Sequence, residues 1–487
     1  MTRSGSTLRP MRRVLYVVLC LVLAAAAVGL GSWLVLEPPA LEVPEAEALV
    51  FTNVTLVTPG GVRRVGETLF VRDGRVQAGD GGEQDAGLVL HQYSGKYLLP
   101  GLVDMHVHLP IHTKLLAILF LAHGVTSVRD VGSLTGATLE LRRAILEGEH
   151  PGPRIFSCGR PLDGDPPVPG RGNQPVASVE EAHAAVAELA AAGVACIKVY
   201  DNLRAEVLDA IATAAAEHGL PVVGHVPVDT LFEYAPIADV QHLTGLARER
   251  DTGNDPGPMR GLRDLEPQRL ARFVASSRER GIAHTPTLAV LAAMARADPA
   301  RPIAAARWLP RWVPELYWSR ARQSITPQAR ASWSDALDVF LDATGRLHEA
   351  GVRIHAGTDM LTPFQVAGES LHRELALLVE AGLTLEQAWV AATLTPAATL
   401  DAVEPSAFDA GAPADLLVFG SDPTRDLAAL DSLEAVVAQG RLYPRALLQS
   451  YLARYRDFYR SGLVDGLTMA LARGALTLDD QPAPSGE

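Results

Sequence analysis

Short apolar runs alternate with Ala- and Leu-rich stretches through the middle of the chain. From about residue 98 the apolar runs are, in order, LVDMHVHL, GVTSVRD, RIFSCG, CIKVY, PVVGHV, DVQHLT, AHTPTL and RIHAGTD. The stretches between them, such as SVEEAHAAVAELAAAG, have the composition and the capping residues of helices. Eight strands separated by helices over residues 98–400 predict an α/β protein with a TIM (β/α)8 barrel rather than an open sheet.

The two regions that flank the predicted barrel have strand patterns. Residues 49–97 contain FTNVTLV and ETLFVRDGRVQAG, in which Asp73-Gly74 predicts a tight hairpin turn. Residues 401–445 contain GAPADLLVFGSDP and LEAVVAQGRLY. We expect both flanks to form one small β-sandwich domain from the two ends of the chain. A C-terminal helix and a disordered tail are expected over residues 446–487.

The N-terminus contains a long apolar run. Residues 14–36 carry no charge, and four arginines but no acidic residue precede the run. The run is long enough to span a bilayer, and the arginines place its N-terminal end in the cytoplasm. We expect residues 1–36 to form a basic N-terminus and one transmembrane helix, residues 37–48 a stalk, and the catalytic body to lie on the periplasmic or extracellular side. A cleaved signal peptide is the alternative, because residues 24–27 are all alanine.

The composition limits the partners of the protein. The formal net charge of the 487 residues is −13, whereas nucleic-acid binding needs a basic footprint, so we expect no nucleic-acid partner. A homo-oligomer is left open. Of the three cysteines, Cys20 lies in the apolar run, and we expect Cys158 and Cys196 to be buried thiols rather than a bridge.

One lysine lies inside an apolar strand pattern. Only three of the 43 basic residues are lysine, and Lys198 is in the middle of CIKVY. Burying a charged ammonium is costly. Because lysine can lose its proton and arginine cannot, this position indicates that the amine itself is needed.

Histidines and one aspartate collect near the C-terminal ends of the predicted strands, which form the catalytic face of such a barrel. A lone histidine in a strand is more often a core residue, but equivalent positions on separate strands indicate a shared site. The candidate metal ligands are His106, His108, Lys198, His225, His242 and Asp359.

The segments HVH, IKVY, GHV, QHLTG and HAGTD resemble the amidohydrolase superfamily, and within it the imidazolonepropionase-like hydrolases and metal-dependent dipeptidases (prolidases). The resemblance implies two divalent metal ions, most often zinc. His106, His108 and Asp359 would hold one ion, and His225 and His242 the other. Lys198 would be carbamylated by CO2 and bridge both.

The resemblance also implies the reaction, which is cleavage of an amide bond in a dipeptide or N-acyl amino acid. A hydroxide shared by the two ions would attack the carbonyl, and Asp359 would move its proton to the leaving amine. We expect Tyr200 and His284 to bind substrate. Arg129 is expected to pair with Asp130 rather than with a substrate carboxylate.

Two other readings stay open. The first is a mononuclear imidazolone-ring hydrolase or deaminase of the same fold. Such enzymes commonly carry a glutamate three residues after the histidine of the fifth strand, where this chain has His225-Val-Pro-Val. The second is an inactive, membrane-tethered binding module, which the complete ligand set disfavours.

Overall fold

The computed structural model describes residues 36–78, 89–91, 93–109, 114–168, 172–247, 262, 265–296, 303–401 and 407–478. The predicted transmembrane run lies outside these ranges except for Leu36, and the predicted disordered tail beyond residue 478 lies outside them entirely. Within the described ranges, no helix combines the length and the apolar character needed to cross a bilayer.

Strands and helices alternate along the described chain. The strands are β1 (Leu49–Val57), β2 (Arg63–Arg72), β3 (Arg75–Gln77), β4 (Val89–His91), β5 (Tyr97–Pro100), β6 (Leu102–Val107), β7 (Val125–Asp130), β8 (Arg154–Ser157), β9 (Leu162–Asp163), β10 (Gln174–Pro175), β11 (Ile197–Val199), β12 (Val222–Gly224), β13 (Asp239–Gln241), β14 (Ala283–Thr285), β15 (Leu416–Phe419), β16 (Leu433–Ala438) and β17 (Arg441–Pro444). The helices are α1 (Lys114–Ala122), α2 (Thr135–Leu146), α3 (Val179–Ala192), α4 (Ala205–Glu217), α5 (Pro267–Arg280), α6 (Leu288–Arg296), α7 (Trp318–Ser324), α8 (Pro327–Glu349), α9 (Glu369–Glu380), α10 (Leu385–Ala391), α11 (Leu394–Asp401), α12 (Arg445–Tyr459) and α13 (Gly462–Leu478).

Short parallel strands form a closed barrel. β6, β7 and β8 pair in parallel, and so do β9, β11, β12, β13 and β14. The Ala195 amide donates to the Ser157 carbonyl at 2.7 Å and joins the two groups. Residues 353–360 take the eighth position, where Ile354 bridges to β14 and Met360 bridges to β6. The predicted eighth strand is therefore reduced to two isolated bridges, but it completes the wall.

Helix α3 illustrates how the sequence sets a barrel helix. The Ser178 side chain accepts a hydrogen bond from the Glu181 amide at the N-cap, and Gly193 ends the helix with a φ of 81°, a conformation that favours glycine. Between these caps the apolar positions recur at helical spacing, so one face is buried against the barrel. That face consists of Ala182, Ala185, Val186 and Leu189.

The two flanks of the chain join in one sheet, as the strand patterns predicted. The strand order is β17-β16-β15-β5-β1-β2-β3, with β4 also paired to β1. β5 and β15 are antiparallel neighbours at its centre. Arg75 of β3 forms a bridge to Pro413, just before β15, so the sheet curls back on itself around a small apolar core. The predicted sandwich is thus a single curled sheet, because hydrogen bonds run continuously through all its strands.

Residues 37–48 do not project from the body as the predicted stalk. Leu36 and Leu41 are buried in the main apolar core, and the Tyr451 hydroxyl of α12 donates to the Glu42 carbonyl. The Pro- and Glu-rich composition indicated an exposed linker, but Leu36 just before the segment and Leu41 within it pack against the body. The segment therefore lies on the body.

Cys158 and Cys196 form a disulfide, which corrects the prediction that both are free thiols. Cys158 directly follows β8 and Cys196 directly precedes β11, and their Cα atoms are 4.5 Å apart. Both are buried in a small cluster with Val131 and Val223. Their separation of 38 residues does not reveal that these strands are neighbours in the wall.

Candidate metal centre

The predicted ligands lie together where the barrel strands end, and we call this set the upper cluster. Its members are His106, His108, Lys198, His225, His242 and Asp359.

Short distances connect the members of the upper cluster. The ring centroids of His106 and His242 are 4.6 Å apart, and those of His225 and His242 are 5.1 Å apart. Nε2 of His106 lies 3.2 Å from Oδ1 of Asp359, and Nε2 of His108 lies 3.1 Å from the same oxygen. The ligand atoms of His106, His108 and Asp359 all lie within 4.8 Å of one another. The carboxyl ends of the parallel strands bring these side chains to one face.

Unusual backbone conformations aim several of these side chains. His242 has a φ of 55° and Asp359 a φ of 52°, values that non-glycine residues rarely adopt and that cost about 1–3 kcal/mol each. Gly224 precedes His225 with a φ of 138°, and a Cβ there would lie 2.2 Å from the Val199 carbonyl oxygen. The left-handed turn at Asp359 also explains why the eighth strand is irregular.

Three imidazoles are held by their Nδ1 atoms. Nδ1 of His108 contacts the Gly132 carbonyl at 2.8 Å, and Nδ1 of His225 contacts the Asp201 carboxylate at 3.1 Å. Nδ1 of His242 contacts the Thr287 hydroxyl at 2.6 Å. In each case the outer contact leaves Nε2 as the available ligand atom, which is how proteins orient metal-binding histidines.

Buried nitrogen atoms in the upper cluster lack hydrogen-bond partners. Within the described residues, Nε2 of His225 and both ring nitrogens of His106 form no hydrogen bond. Buried polar atoms are normally paired, so these lone pairs fit metal ions.

The charge states also fit a metal site. Burial lowers the pKa of His106 to about 3 and lowers the pKa of His225 and His242, so these rings are neutral and able to bind a cation. Burial opposes ionisation of Asp359, but the neighbouring histidines outweigh it and hold its pKa well below the usual value. Burial also lowers the pKa of His108, but its contacts with Asp359 reverse the shift and raise it.

Lys198 reaches the interior of the barrel beside these ligands. It is 1% exposed, and burial lowers its pKa to about 7. Its Nζ donates to Oε1 of Gln241, whereas Nε2 of Gln241 is buried without a partner within the described residues. The Nζ atom also lies 5.5 Å from the ring centroid of Tyr200. The lysine is thus surrounded by ligands rather than paired with an acid, since no described carboxylate lies within 4.0 Å of Nζ in an ion pair.

A second buried group in the barrel interior, which we call the lower cluster, consists of Arg129, Asp239, Thr285 and His355. Nη2 of Arg129 and Nδ1 of His355 contact Oδ2 of Asp239 at 2.7 and 2.8 Å, and the Thr285 hydroxyl donates to Oδ1 at 2.9 Å. Arg129 therefore does not pair with Asp130 as predicted. Adjacent strand residues point to opposite sides, and Arg129 spans the interior instead.

His284 points away from the upper cluster. Its Nε2 lies 2.9 Å from the Ser277 hydroxyl on α5, and its ring centroid is 5.1 Å from that of Phe273. Its neighbour Thr285 faces the interior, so His284 faces the helices. The prediction that His284 binds substrate is therefore corrected.

Tyr200 lies at the rim of the site. Its ring stacks on His225 with centroids 4.2 Å apart, and it is only partly buried. The helical segment between β14 and the eighth strand reaches the same rim, where the Tyr317 hydroxyl donates to the Leu361 carbonyl at 2.9 Å. The position of Tyr200 is compatible with substrate binding, which stays a prediction.

The residues that contact the outer nitrogens and the lysine of the upper cluster were not predicted from the sequence. Asp201 follows Tyr200 directly, and a carboxylate at the end of a candidate ligand strand was an available signal. Gln241 precedes His242, but an amide in a strand carries no signal of its own. Thr287 had none either, because its contact with His242 depends on the neighbouring strand.

A parallel barrel that gathers neutral imidazoles, a carboxylate and a buried lysine at its C-terminal face defines a metal-dependent hydrolase. The amidohydrolase family model matches residues 97–443, and the chain belongs to this family. It is a hydrolase of carbon–nitrogen bonds, which confirms the resemblance seen in its strand motifs.

Solved structures similar to this chain include prolidases and other amidohydrolases. Bottromycin amidohydrolase is 25% identical with a TM-score of 0.67, and the match covers 84% of this chain and 90% of that one. A putative prolidase from Bifidobacterium longum is 25% identical with a TM-score of 0.63, covering 84% and 100%. A Xaa-Pro dipeptidase with bound methionine, at 20% identity and a TM-score of 0.61 over 82% and 100%, shares the fold. No curated protein matches the chain by sequence.

Proposed function

We propose that this protein is a binuclear amidohydrolase that cleaves the amide bond of dipeptides or N-acyl amino acids. The observation that carries the proposal is the position of Lys198, which is buried beside the histidines of the upper cluster and, among the described residues, has no acidic partner in an ion pair. A lysine at this position has no use in a one-metal site.

The donor set divides between two ions. His106, His108 and Asp359 would hold one ion, most often zinc, and His225 and His242 the other. When bound, the ions would polarise the scissile carbonyl and make water acidic near neutral pH. The unpartnered nitrogens of His106 and His225 are the atoms that support this assignment.

Lys198 would bridge the two ions as a carbamate. Its neutral amine attacks CO2, a nitrogen–carbon bond forms, and one proton leaves to solvent, so that the side chain becomes an anion. Burial favours the neutral amine that this reaction requires. Nε2 of Gln241 is buried and has no partner in the described part of the chain, so it can donate to a carbamate oxygen after rotation of the amide.

The remaining residues handle the proton and the substrate. Asp359 is ionised and accepts the proton of the attacking water on a carboxylate oxygen. It returns this proton to the amide nitrogen as the carbon–nitrogen bond breaks. The Tyr200 hydroxyl, at the rim, would hold the carbonyl or carboxylate of the substrate.

Metal stoichiometry tests the mechanism, and a substrate screen tests the specificity. Two ions per purified chain are expected; one would favour the ring hydrolase or deaminase, and none the binding module. The metal-loaded enzyme should hydrolyse members of a dipeptide and N-acyl amino acid library. Two bound ions without hydrolysis of any member would refute the substrate class and leave the metal site standing.

We also propose that the catalytic body lies outside the cytoplasm, anchored by residues 14–36. The arginines before the apolar run support this orientation, and the Cys158–Cys196 disulfide is typical of oxidising compartments. A reporter fused to the C-terminus should be active only outside the cytoplasm. Cytoplasmic reporter activity would contradict the proposal.

A further inference from the structure

One part of this acidic protein is basic and aromatic. Residues 303–330 and 445–474 together contain ten arginines but three acidic residues, whereas the whole chain has a net charge of −13. The first segment also contains three tryptophans, of which Trp308 and Trp312 are partly exposed. We call these two segments the basic-aromatic face.

Direct contacts join the two segments. Nη1 of Arg311 contacts the Asp465 carboxylate at 2.9 Å, and Nη2 of Arg460 donates to the Arg307 carbonyl at 2.9 Å. The Arg456 guanidinium lies 5.5 Å from the ring centroid of Trp308. The segments are more than 100 residues apart in sequence, yet they form one continuous surface.

Helix α13 on this face exposes apolar residues to solvent. Leu463 is 70% exposed and Leu471 is 53% exposed, and Ala470 on the same side is exposed too. Val464 of the same helix is buried in the main core and Leu467 packs against that core, so α13 carries apolar residues toward the body and toward solvent. A surface helix normally has polar residues on its solvent side, so the exposed leucines are unusual.

The described chain begins at Leu36, on the side of the protein where α13 lies. Glu37 pairs with Lys114. Burial raises the pKa of Tyr459 to about 12, and the charge of Glu37 contributes to this shift because the two residues lie close together. Tyr459 ends α12, three residues before α13 begins. The described chain therefore begins on this side of the protein, and the apolar run directly precedes this point in the sequence.

We propose that the basic-aromatic face, with α13 at its edge, lies on the surface of an anionic lipid bilayer. Arginines attract acidic headgroups, tryptophans favour the membrane interface, and an apolar helix side inserts at the boundary of the acyl chains. The described chain begins near the same helix, and the apolar run directly precedes that point in the sequence, which fits this occupant better than a second protein.

The position of the face matters for substrate access. Tyr317 belongs to it and donates to the Leu361 carbonyl, two residues after Asp359. A bilayer against this face would lie beside the rim of the upper cluster. Amphiphilic amides could then reach the site from the membrane surface. This consequence rests on the proposed function, whereas the lipid contact does not.

Site-directed spin labelling of the full-length protein in lipid nanodiscs tests the lipid contact. A nitroxide at Leu471→Cys is compared with one at Val65→Cys on β2, a position 79% exposed, both in a Cys20→Ser background. In discs rich in phosphatidylglycerol, we expect the label at 471 to be severalfold less accessible to a water-soluble nickel chelate and more accessible to oxygen. Equal nickel accessibility at both positions would overturn the proposal. Protection of position 471 from both reagents would also overturn it, because a second copy or the N-terminal segment would then cover α13.

The charges of the face give a second test. Arg307 and Arg454 are exposed, and the double substitution Arg307→Gln/Arg454→Gln should lower the salt concentration at which the label at 471 loses its protection. The matched control is Arg272→Gln/Arg278→Gln on α5, which removes the same charge from exposed positions elsewhere. Equal salt sensitivity of both double variants would show that the arginines of this face do not contact lipid.

Discussion

The upper and lower clusters lie in the interior of the same barrel, and both are built from buried titratable side chains. In the lower cluster the polar side chains are hydrogen-bonded to one another. Asp239 accepts hydrogen bonds from Arg129, Thr285 and His355. The other ring nitrogen of His355, Nε2, lies 2.9 Å from the Thr399 hydroxyl. In the upper cluster, ring nitrogens of His106 and His225 form no hydrogen bond within the described chain. Both clusters are largely buried, and unused lone pairs are what distinguish a ligand site from a structural network.

The strongest test of the upper cluster is Lys198. Lys198→Ala removes the bridging anion, so we expect loss of one or both ions and of activity, measured by metal analysis and turnover. Added formate, acetate or propionate with excess zinc should restore part of the activity. Lys198→Arg should fail equally without rescue, because a guanidinium cannot become a carbamate. Two ions per chain in purified Lys198→Arg would end the carbamate hypothesis.

Asp359→Asn separates metal binding from proton transfer in the same cluster. The amide oxygen can still bind an ion, but it cannot accept the proton. Turnover should fall about 10²–10⁴-fold, the usual contribution of a general acid–base group. Near-normal turnover of a metal-loaded variant would assign the proton to another residue.

Asp239→Asn should disrupt the lower cluster and lower the free energy of unfolding. It leaves Arg129 buried without its counter-ion, and removing one member of a buried pair costs about 3–5 kcal/mol in unfolding free energy. Denaturant unfolding measures the loss. Metal stoichiometry of the folded fraction should stay at the wild-type value, and a changed stoichiometry would contradict the separation of the two clusters.

The same variant gives a pH signature. Burial raises the pKa of Asp239, but Arg129 and His355 outweigh it, and the folded-state pKa is lowered. Its contribution to stability is therefore present above the unfolded pKa of about 3.9 and is lost as the pH falls below that value. Asp239→Asn should remove this part of the acid dependence of the unfolding free energy. An unchanged dependence between about pH 5 and 2 would show that other carboxylates carry it.

Asp201→Asn tests the contact that orients His225 in the upper cluster, and it should have the smallest effect of these substitutions. The amide can still contact Nδ1 of His225, but it lacks the negative charge that raises the basicity of the ring. Metal affinity should fall about 10–100-fold, measured by competition with a chelator. His284→Gln is the control, because His284 faces α5, and it should leave metal affinity unchanged.

The sequence predicted which side chains come together at the strand ends better than it predicted what surrounds them. His106, His225 and Asp359 all lie at strand ends. Because the pattern is repeated on several strands, an error in the predicted bounds of one strand does not change the prediction. The direction of a residue in a three-residue strand such as β14 is not readable, which misplaced His284. Contacts such as that between Arg129 and Asp239 depend on which strands face each other across the interior, and the Cys158–Cys196 bond depends on which strands are neighbours.

The split sheet has a consequence for the order in which the chain folds. β5 pairs with β15, which lies more than 300 positions later in the sequence. During synthesis β1 to β5 emerge first, and the edge of β5 stays open until the whole barrel and β15 have been made. An open strand edge invites pairing with other chains. The closing step is therefore the slow, long-range one, and a chain truncated after the barrel should aggregate through this edge instead of forming a smaller enzyme.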